Sequence, residues 1–596
     1  MVSNDVQMPV IKGLPKDAKI QKVGTKRYAY YVYVFTINGK RFQERDYIGV
    51  LSEDGSEFIP NKTFKLQGCY QKKDRPLENW KNEQRRLALT KEAQSSSSAV
   101  KPKETKDRQT DLAVGESVSV GATALAIAVL EKTQMIADAA SVLVNSDDLA
   151  DVLNLAAHAA ITSDPTYCAE RESKVQKFIG KGCPSSPRAS ELLQRLGAQS
   201  DLAVKLARER AKHVKHGALL AIDGTEIPSA SKNINLTALG KTKDGTFGTQ
   251  INVSLLVDTQ SGDAICYRAY AGNTHDISTL DDNRALWDSI GLKNKHVTFA
   301  ADRAYWSKEQ AAEMDAAGYK FLFGAKTSFG FVKEIIENRN HELFEPRNWI
   351  TKESCYGIKK NVSLRTDKGE ITLFTYVFRS TRKQEEEMDE LSDKLESFER
   401  KWVKASAADR RKLRDDSCYA FFKETAGFLC KDEDAFNEAC YLKGFFALSG
   451  NLDLTTRQAI ETYRERNTVE IDFKLLLKNL LQSSRVHSTQ AFDGLMFITF
   501  IGLSILTYLN RAMEGTIPNS ASDKGFSYIK DLYTTRELFK DLQRIQLRRY
   551  GKDEYRLVNV LKRDHELAKA LGLEGLYADP ERVANLLSMN VCEKQS

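Results

Sequence analysis

No Cys-x-x-Cys pair occurs among the nine cysteines (Cys69, Cys168, Cys183, Cys266, Cys355, Cys418, Cys430, Cys440 and Cys592), and their number is odd. Neither a disulfide framework nor a zinc ribbon is implied, and a reducing cytosol fits best. The first residues, MVSNDVQMPVIKG, lack an apolar signal core, so a cytoplasmic location is the expectation. A membrane-length apolar run is missing too. The longest, from Gly494 to Leu509, contains Thr, Ser and Tyr and is short for a span, so it reads as a buried core helix, with no membrane partner. Nor is one sign of charge in large excess: 88 Lys and Arg against 81 Asp and Glu leave +7. That suggests a polyanionic partner without requiring one, and local clustering matters more than the total.

What is there is enough chain for several domains. Residues 1–80 read as a small β-rich module, with YAYYVYVFTI and KRFQERDYIGV flanking an Asn38-Gly39 turn. A basic, polar linker with four successive serines comes next, at 81–115. Residues 116–216 are Ala- and Leu-rich, with helix starts at Ser146-Asp147-Asp148 and Ser190. This helical subdomain could bind DNA through a helix-turn-helix around Gly197, or simply pack as a bundle on the domain C-terminal to it.

From 217 to 330 strands and helices alternate: LLAID, INVSLLVD and AICYRAYAG as strands, STLDDNRALWDSI as a helix, VTFAAD as a strand, then a helix and YKFLFG. Three strands, a helix, a strand and a helix is the order of an RNase H-like mixed sheet. The fold class expected is therefore α/β: an RNase H-like core interrupted by a β-rich insertion at 331–449, with a hairpin at Asp367-Lys368-Gly369 and an amphipathic helix from Arg382 to Lys404. The core resumes at 450–517, with a helix start at Thr455-Thr456, and 518–596 is a largely helical end.

Asp223 and Asp302 end core strands, where α/β sheets place ligands. Two converging carboxylates repel each other unless a hard divalent cation neutralises them. A third acid from a helix would complete a cage for two ions about 3.5 to 4 Å apart, clamping the attacking and leaving oxygens of a phosphoryl transfer. Taking Glu470 as zero on a helical wheel, Tyr463 falls near roughly 20°, Arg466 near roughly −40°, Lys474 near roughly 40° and Lys478 near roughly 80°. Asp472 and Glu465 fall on the opposite side. Each acid taken singly also reads as a cap, a turn residue or a salt-bridged surface glutamate. Their joint occurrence in this element order favours a site. Asp276, in GNTHD, competes for the second acid and reads as a helix N-cap or as support for the metal, and His275 as a loop histidine.

At these residues the sequence resembles the DDE transposases of bacterial insertion sequences, in the subgroup with a Tyr-Arg-Glu-Lys signature and an insertion before the catalytic Glu. The matching blocks are AIDGTEI, AGNTHD, FAADRAYWSKEQ, YRERNTVEIDFKLLLKNL and the apolar RVHSTQAFDGLMFITFIGLSILTYL, together spanning about 185 to 515. The resemblance implies that Asp223, Asp302 and Glu470 are the catalytic, metal-binding triad for two Mg²⁺ ions, with Mn²⁺ as a substitute. It implies that Tyr463, Arg466 and a lysine contact DNA. The family spacing places that lysine at Leu477, so Lys474 and Lys478 share the assignment. Trp306 resembles an aromatic that stacks on an unpaired base, and it equally reads as a core tryptophan. The activity implied is cleavage at transposon ends and strand transfer, on terminal-repeat and target double-stranded DNA, by a homodimer. The alternatives are a nuclease of the same fold that never joins, and an idle DNA-binding descendant of a transposase.

Overall fold

Alternating aromatic and β-branched residues favour a pleated, half-buried surface, and they build the first of two units, 1–108 and 109–596. In the computed structural model the described residues are 11–15, 18–23, 26–37, 40–52, 54, 56–60, 112, 114–143, 145–242, 246–367, 369–425, 428–481, 486–513, 534–551 and 554–588. The expected Asn38-Gly39 turn, Lys368 and nearly all of the 81–115 linker lie outside them. In the first unit β1 (Ala18–Val23), β2 (Lys26–Ile37), β3 (Lys40–Leu51) and β4 (Phe58–Pro60) form one antiparallel sheet in that order. Ala29, Tyr31, Ile48, Leu51 and Phe58 are its core.

The second unit is organised on a ten-stranded mixed sheet. Its centre is β6 (Leu219–Pro228), flanked by β8 (Phe247–Asp258), antiparallel, and β10 (Thr298–Ala301), parallel. The far edge of β8 carries β7 (Ala238–Lys241) and β9 (Ala264–Ala271), both antiparallel to it. Beyond β10 lies β11 (Lys320–Ala325), parallel.

Within 331–449, among the described residues, only the short strands Phe422–Thr425 and Phe428–Lys431 pair apart, as a two-stranded sheet of their own. By contrast, β17 (Phe445–Gly450) pairs antiparallel with β11, and the hairpin of β13 (Cys355–Thr366) and β14 (Gly369–Arg379), with β12 (Trp349–Ile350), continues the same sheet outward. The helix Thr381–Lys404 keeps its first turns exposed. Only Leu395, Phe398 and Trp402 are buried, in a satellite cluster with Phe422.

On the other side of the molecule the helices Gly121–Lys132, Ser146–Thr162 and Ser186–Gly197 pack around the helix Thr489–Met513. That last helix is long and apolar enough to cross a membrane, but its most apolar window is 89 % buried inside the protein. Its apolarity is that of a core element with neighbours all round. The helix expected from Ser190 starts at Ser186, because Pro187 fits the first turn where no N–H is needed.

The helix Leu202–His213 buries Leu202, Leu206, Ala207 and Ala211 and lies against β9, so the pair around Gly197 packs as a bundle. Arg210, also buried there, ties Asp138 (2.9 Å) to Asp263 (3.1 Å) at the start of β9. The two ends of the unit close together: β5 (Ser117–Ser119) pairs with β18 (Gln546–Arg549), which pairs with β19 (Tyr555–Val558). The Tyr577 hydroxyl donates to the Gly121 carbonyl at 2.8 Å.

Candidate active site

Sheet register brings the first two acids together. β6 does not end at Asp223, as its sequence suggests, but runs on to Pro228 against β8. It is β10 that stops: Ala301 is the last residue paired, opposite Ile222. Asp302 therefore leaves the sheet directly beside Asp223, at the C-terminal end of a parallel strand pair, the edge where such sheets bind ligands. The Gly224 N–H donates to Asp223 Oδ1 at 2.9 Å, and the Arg303 N–H donates to Asp302 Oδ1 at 2.7 Å.

The third acid arrives from a segment that is not the continuous helix its sequence suggests. The helix Thr456–Arg464, started by a capping box between Thr455 and Gln458, gives way at Glu465 and Arg466 to tighter turns bonded three residues apart. A second helix, Asn467–Leu475, runs into a π-turn at Leu476–Leu480, closed by Leu481 N–H donating to the Leu476 carbonyl at 2.8 Å. Such turns recur at functional sites.

Tyr463, Arg466 and Glu470 nonetheless meet the acids together. The Tyr463 hydroxyl donates to Asp302 Oδ1 at 3.2 Å. Arg466 donates from Nη1 to Asp223 Oδ2 at 3.3 Å and from Nη2 to Glu470 Oε1 at 2.7 Å. Its guanidinium is the charge joining the strand acid to the helix acid. Burial works against the charge of Arg466, but Tyr463, Asp223, Asp302 and Glu470 outweigh it and raise its pKa. Burial, with Asp302 next, likewise raises that of the Tyr463 hydroxyl, which stays a donor at neutral pH. The Asp223 side chain is 14 % exposed and that of Glu470 42 %, so Glu470 is the member open to an arriving ligand.

Among the described residues no three His, Cys, Asp or Glu side chains converge closely enough to hold a metal ion, and Arg466 takes the place between Asp223 and Glu470. The donor chemistry itself fits a hard cation, since all three side chains are carboxylates.

The remaining expectations divide. Lys474 is exposed one helical turn beyond Glu470. Leu477 packs on the core, and the side chain of Lys478 lies outside the described residues. Trp306 is buried, 6 % exposed, with its ring 4.8 Å from Phe329 and 5.2 Å from Phe331. Stacking of a base on this ring would require those rings to move.

Asp276 is the first residue of the helix Asp276–Ser289 and not its N-cap, a position His275 fills without a side-chain hydrogen bond. Sequence reasoning missed a cleft of about 440 Å³ beside Asp302 and Tyr463, lined by Arg303, Lys383, Lys443 and Phe446. Its lysines come from the interval 331–449, and only the pairing of β17 with β11 brings them here.

On the opposite face of the Glu470 helix, Asp472 is buried and accepts from the Thr507 hydroxyl at 2.9 Å. Burial pushes its carboxyl well above the usual 3.8, against the pull of Thr507 and Arg511. The folded chain thus keeps a proton that the unfolded chain loses above about pH 4, so this residue lowers stability as pH rises through that window. Asp472→Asn should remove that slope. Urea unfolding at pH 5 and pH 8 should show the variant gaining on the parent at pH 8, and an equal loss at both values would contradict a protonated Asp472.

Comparison with solved structures finds similarity to a piggyBac transposase synaptic complex with hairpin DNA, at 10 % identity and a TM-score of 0.34, covering 71 % of this chain and 80 % of that one. Comparison with curated proteins returns no match. Residues 215–505, which include Asp223, Asp302, Tyr463, Arg466 and Glu470, match the family described as Transposase DDE domain.

Proposed function

We propose that this protein is a DDE-type DNA transposase that cuts at the ends of its element and joins them to target DNA, with Asp223, Asp302 and Glu470 as its triad on an RNase H-like core. The observation that carries the reading is a set of three hydrogen bonds among five side chains: Arg466 bridges Asp223 and Glu470 while Tyr463 holds Asp302, all inside the DDE match.

DDE transposases use divalent metals as a family, and here Asp223, Asp302 and Glu470 would hold Mg²⁺ or Mn²⁺, as one ion or a pair. A bound cation lowers the pKa of an attacking oxygen and neutralises charge on the phosphoryl group. The protein's own part is placement. In the first step a water oxygen bonds to phosphorus, the bond to the 3′ oxygen breaks, and that oxygen leaves as a hydroxyl. In the second, the freed 3′ oxygen bonds to the phosphorus of a target phosphodiester and the target's own bond from phosphorus to its 3′ oxygen breaks. That oxygen leaves as a hydroxyl carrying the proton given up by the attacking one.

Arg466 neutralises two of the three acids when no cation is present, and it exchanges a carboxylate for a phosphate when DNA and cation arrive, as guanidinium geometry allows. Tyr463 keeps Asp302 aimed. Lys474 and Lys478 grip flanking phosphates, and Arg303, Lys383 and Lys443 receive the backbone next to the cut. Trp306 would stack on a base only after displacement of Phe329 and Phe331. Joining two ends takes two sites, hence a homodimer assembled on DNA.

The test is incubation of the purified chain with DNA flanking its own coding sequence, with Mg²⁺, Mn²⁺ or EDTA. Metal-dependent cleavage and then joined products are the expected result. Cleavage without joining would indicate a nuclease of the same fold, and binding without cleavage in any condition would leave an idle DNA-binding protein.

A further inference from the structure

The AGNTHD segment holds none of the triad, yet the fold delivers it to Asp223. Asn252 on β8 donates to the Thr274 carbonyl at 2.8 Å and Gln250 donates to the Gly272 carbonyl at 3.0 Å, so the loop is tethered from both sides of its bend. Asp276 then lies over Gly224. A Cβ on Gly224 would stand 2.5 Å from Asp276 Oδ1 and 3.3 Å from the Tyr305 hydroxyl. Only glycine admits that approach. Gly224 is also the residue whose N–H donates to Asp223 Oδ1. Tyr305 is fully buried, and its hydroxyl has no hydrogen-bond partner among the described residues, although buried polar groups ordinarily find one. That hydroxyl is buried beside the carboxylates of Asp276 and Asp223, with the Thr279 side chain next to it.

We propose that Asp276 is a positioning residue for Asp223: it presses on the Gly224 peptide that directs the Asp223 carboxylate, and with Tyr305 it forms the wall behind the cation-binding edge of the site. The inference rests on the transposase reading and extends it to a fourth acid. Asp276 also adds negative charge at a place where Arg466 is the cation bridging Asp223 and Glu470, which favours a divalent ion over an empty site.

Mn²⁺ binding to the full chain without DNA, monitored by electron paramagnetic resonance, separates this role from a structural one. Asp276→Asn should weaken Mn²⁺ binding about tenfold or more, as supporting residues around metal ligands do. It should lower kcat for cleavage more than it raises KM, with melting close to the parent. Tyr305→Phe, which removes only the hydroxyl, should shift Mn²⁺ binding in the same direction by a smaller factor. If both variants bind Mn²⁺ and turn over as the parent does, the proposal is overturned, and if Asp276→Asn fails to fold, Tyr305→Phe alone decides it. If the parent itself neither takes up Mn²⁺ nor cuts DNA, the transposase reading fails and this proposal falls with it.

Discussion

Glu470→Gln should abolish metal-dependent cleavage while leaving DNA binding and melting nearly unchanged. The exchange keeps shape and hydrogen-bonding capacity but removes the charge of an acid that is 42 % exposed, against 14 % for Asp223. Charge stabilisation by a clamped metal is worth several kcal/mol in the transition state, so a loss of about 10³-fold in rate is the expected size. The local cost is small. Arg466, itself buried, loses a charged partner at 2.7 Å but keeps Asp223 at 3.3 Å and can still donate to the new amide oxygen, so the loss should stay at about 1 kcal/mol. Single-turnover cleavage of an end-labelled substrate gives the rate, and a gel-shift titration gives the binding. A variant that cuts within tenfold of the parent would remove Glu470 from the triad.

Gly494→Val should cost about 3 kcal/mol or more, the upper range for forcing volume into a packed interior. A Cβ on Gly494 would lie 2.1 Å from the Leu193 carbonyl oxygen, and one on Gly197 would lie 1.8 Å from that of Gln490. The helices Ser186–Gly197 and Thr489–Met513 therefore touch backbone to backbone at two glycines, and backbone cannot swing aside as a flexible side chain can. Gly502 on the same helix is the control, because its added carbon meets nothing nearer than the Ala156 carbonyl oxygen at 3.1 Å. Gly502→Ala should cost far less. Thermal melting of the two variants checks the pair, and a Gly494→Val protein melting with the parent would contradict the close crossing.

These contacts also show what the chain declares locally and what it does not. Asp302 and the spacing of Tyr463, Arg466 and Glu470 were legible because a strand end and residue spacing are short-range properties, and Thr455-Thr456 marked a helix start. By contrast, β6 runs on past Asp223. The break at Glu465 and Arg466 and the π-turn were not legible. Every residue there tolerates a helix, and the deviation is set by packing. The extension of the sheet through β17 and β14 was hidden for a different reason. Strand partners more than a hundred residues apart, Phe323 and Ser449 for example, leave no mark in either segment. Trp306 was ambiguous because its neighbours Phe329 and Phe331 come a strand and a turn later. Asp276 looked like a cap because the sequence cannot show that Gly224 lies beneath it.

The pairing of β5 with β18, and the bond from Tyr577 to Gly121, carry a consequence for the timing of synthesis. Ribosomes add about 5–20 residues per second, so roughly 20 to 90 s separate the emergence of the two ends of that closure. For most of that time the helix Gly121–Lys132, buried along nearly its whole length in the finished protein, has cover only from the helices that follow it, Met135–Val142 and Ser146–Thr162. It is a segment a chaperone would hold on the nascent chain, and the cover on this helix is complete only after Tyr577 has emerged.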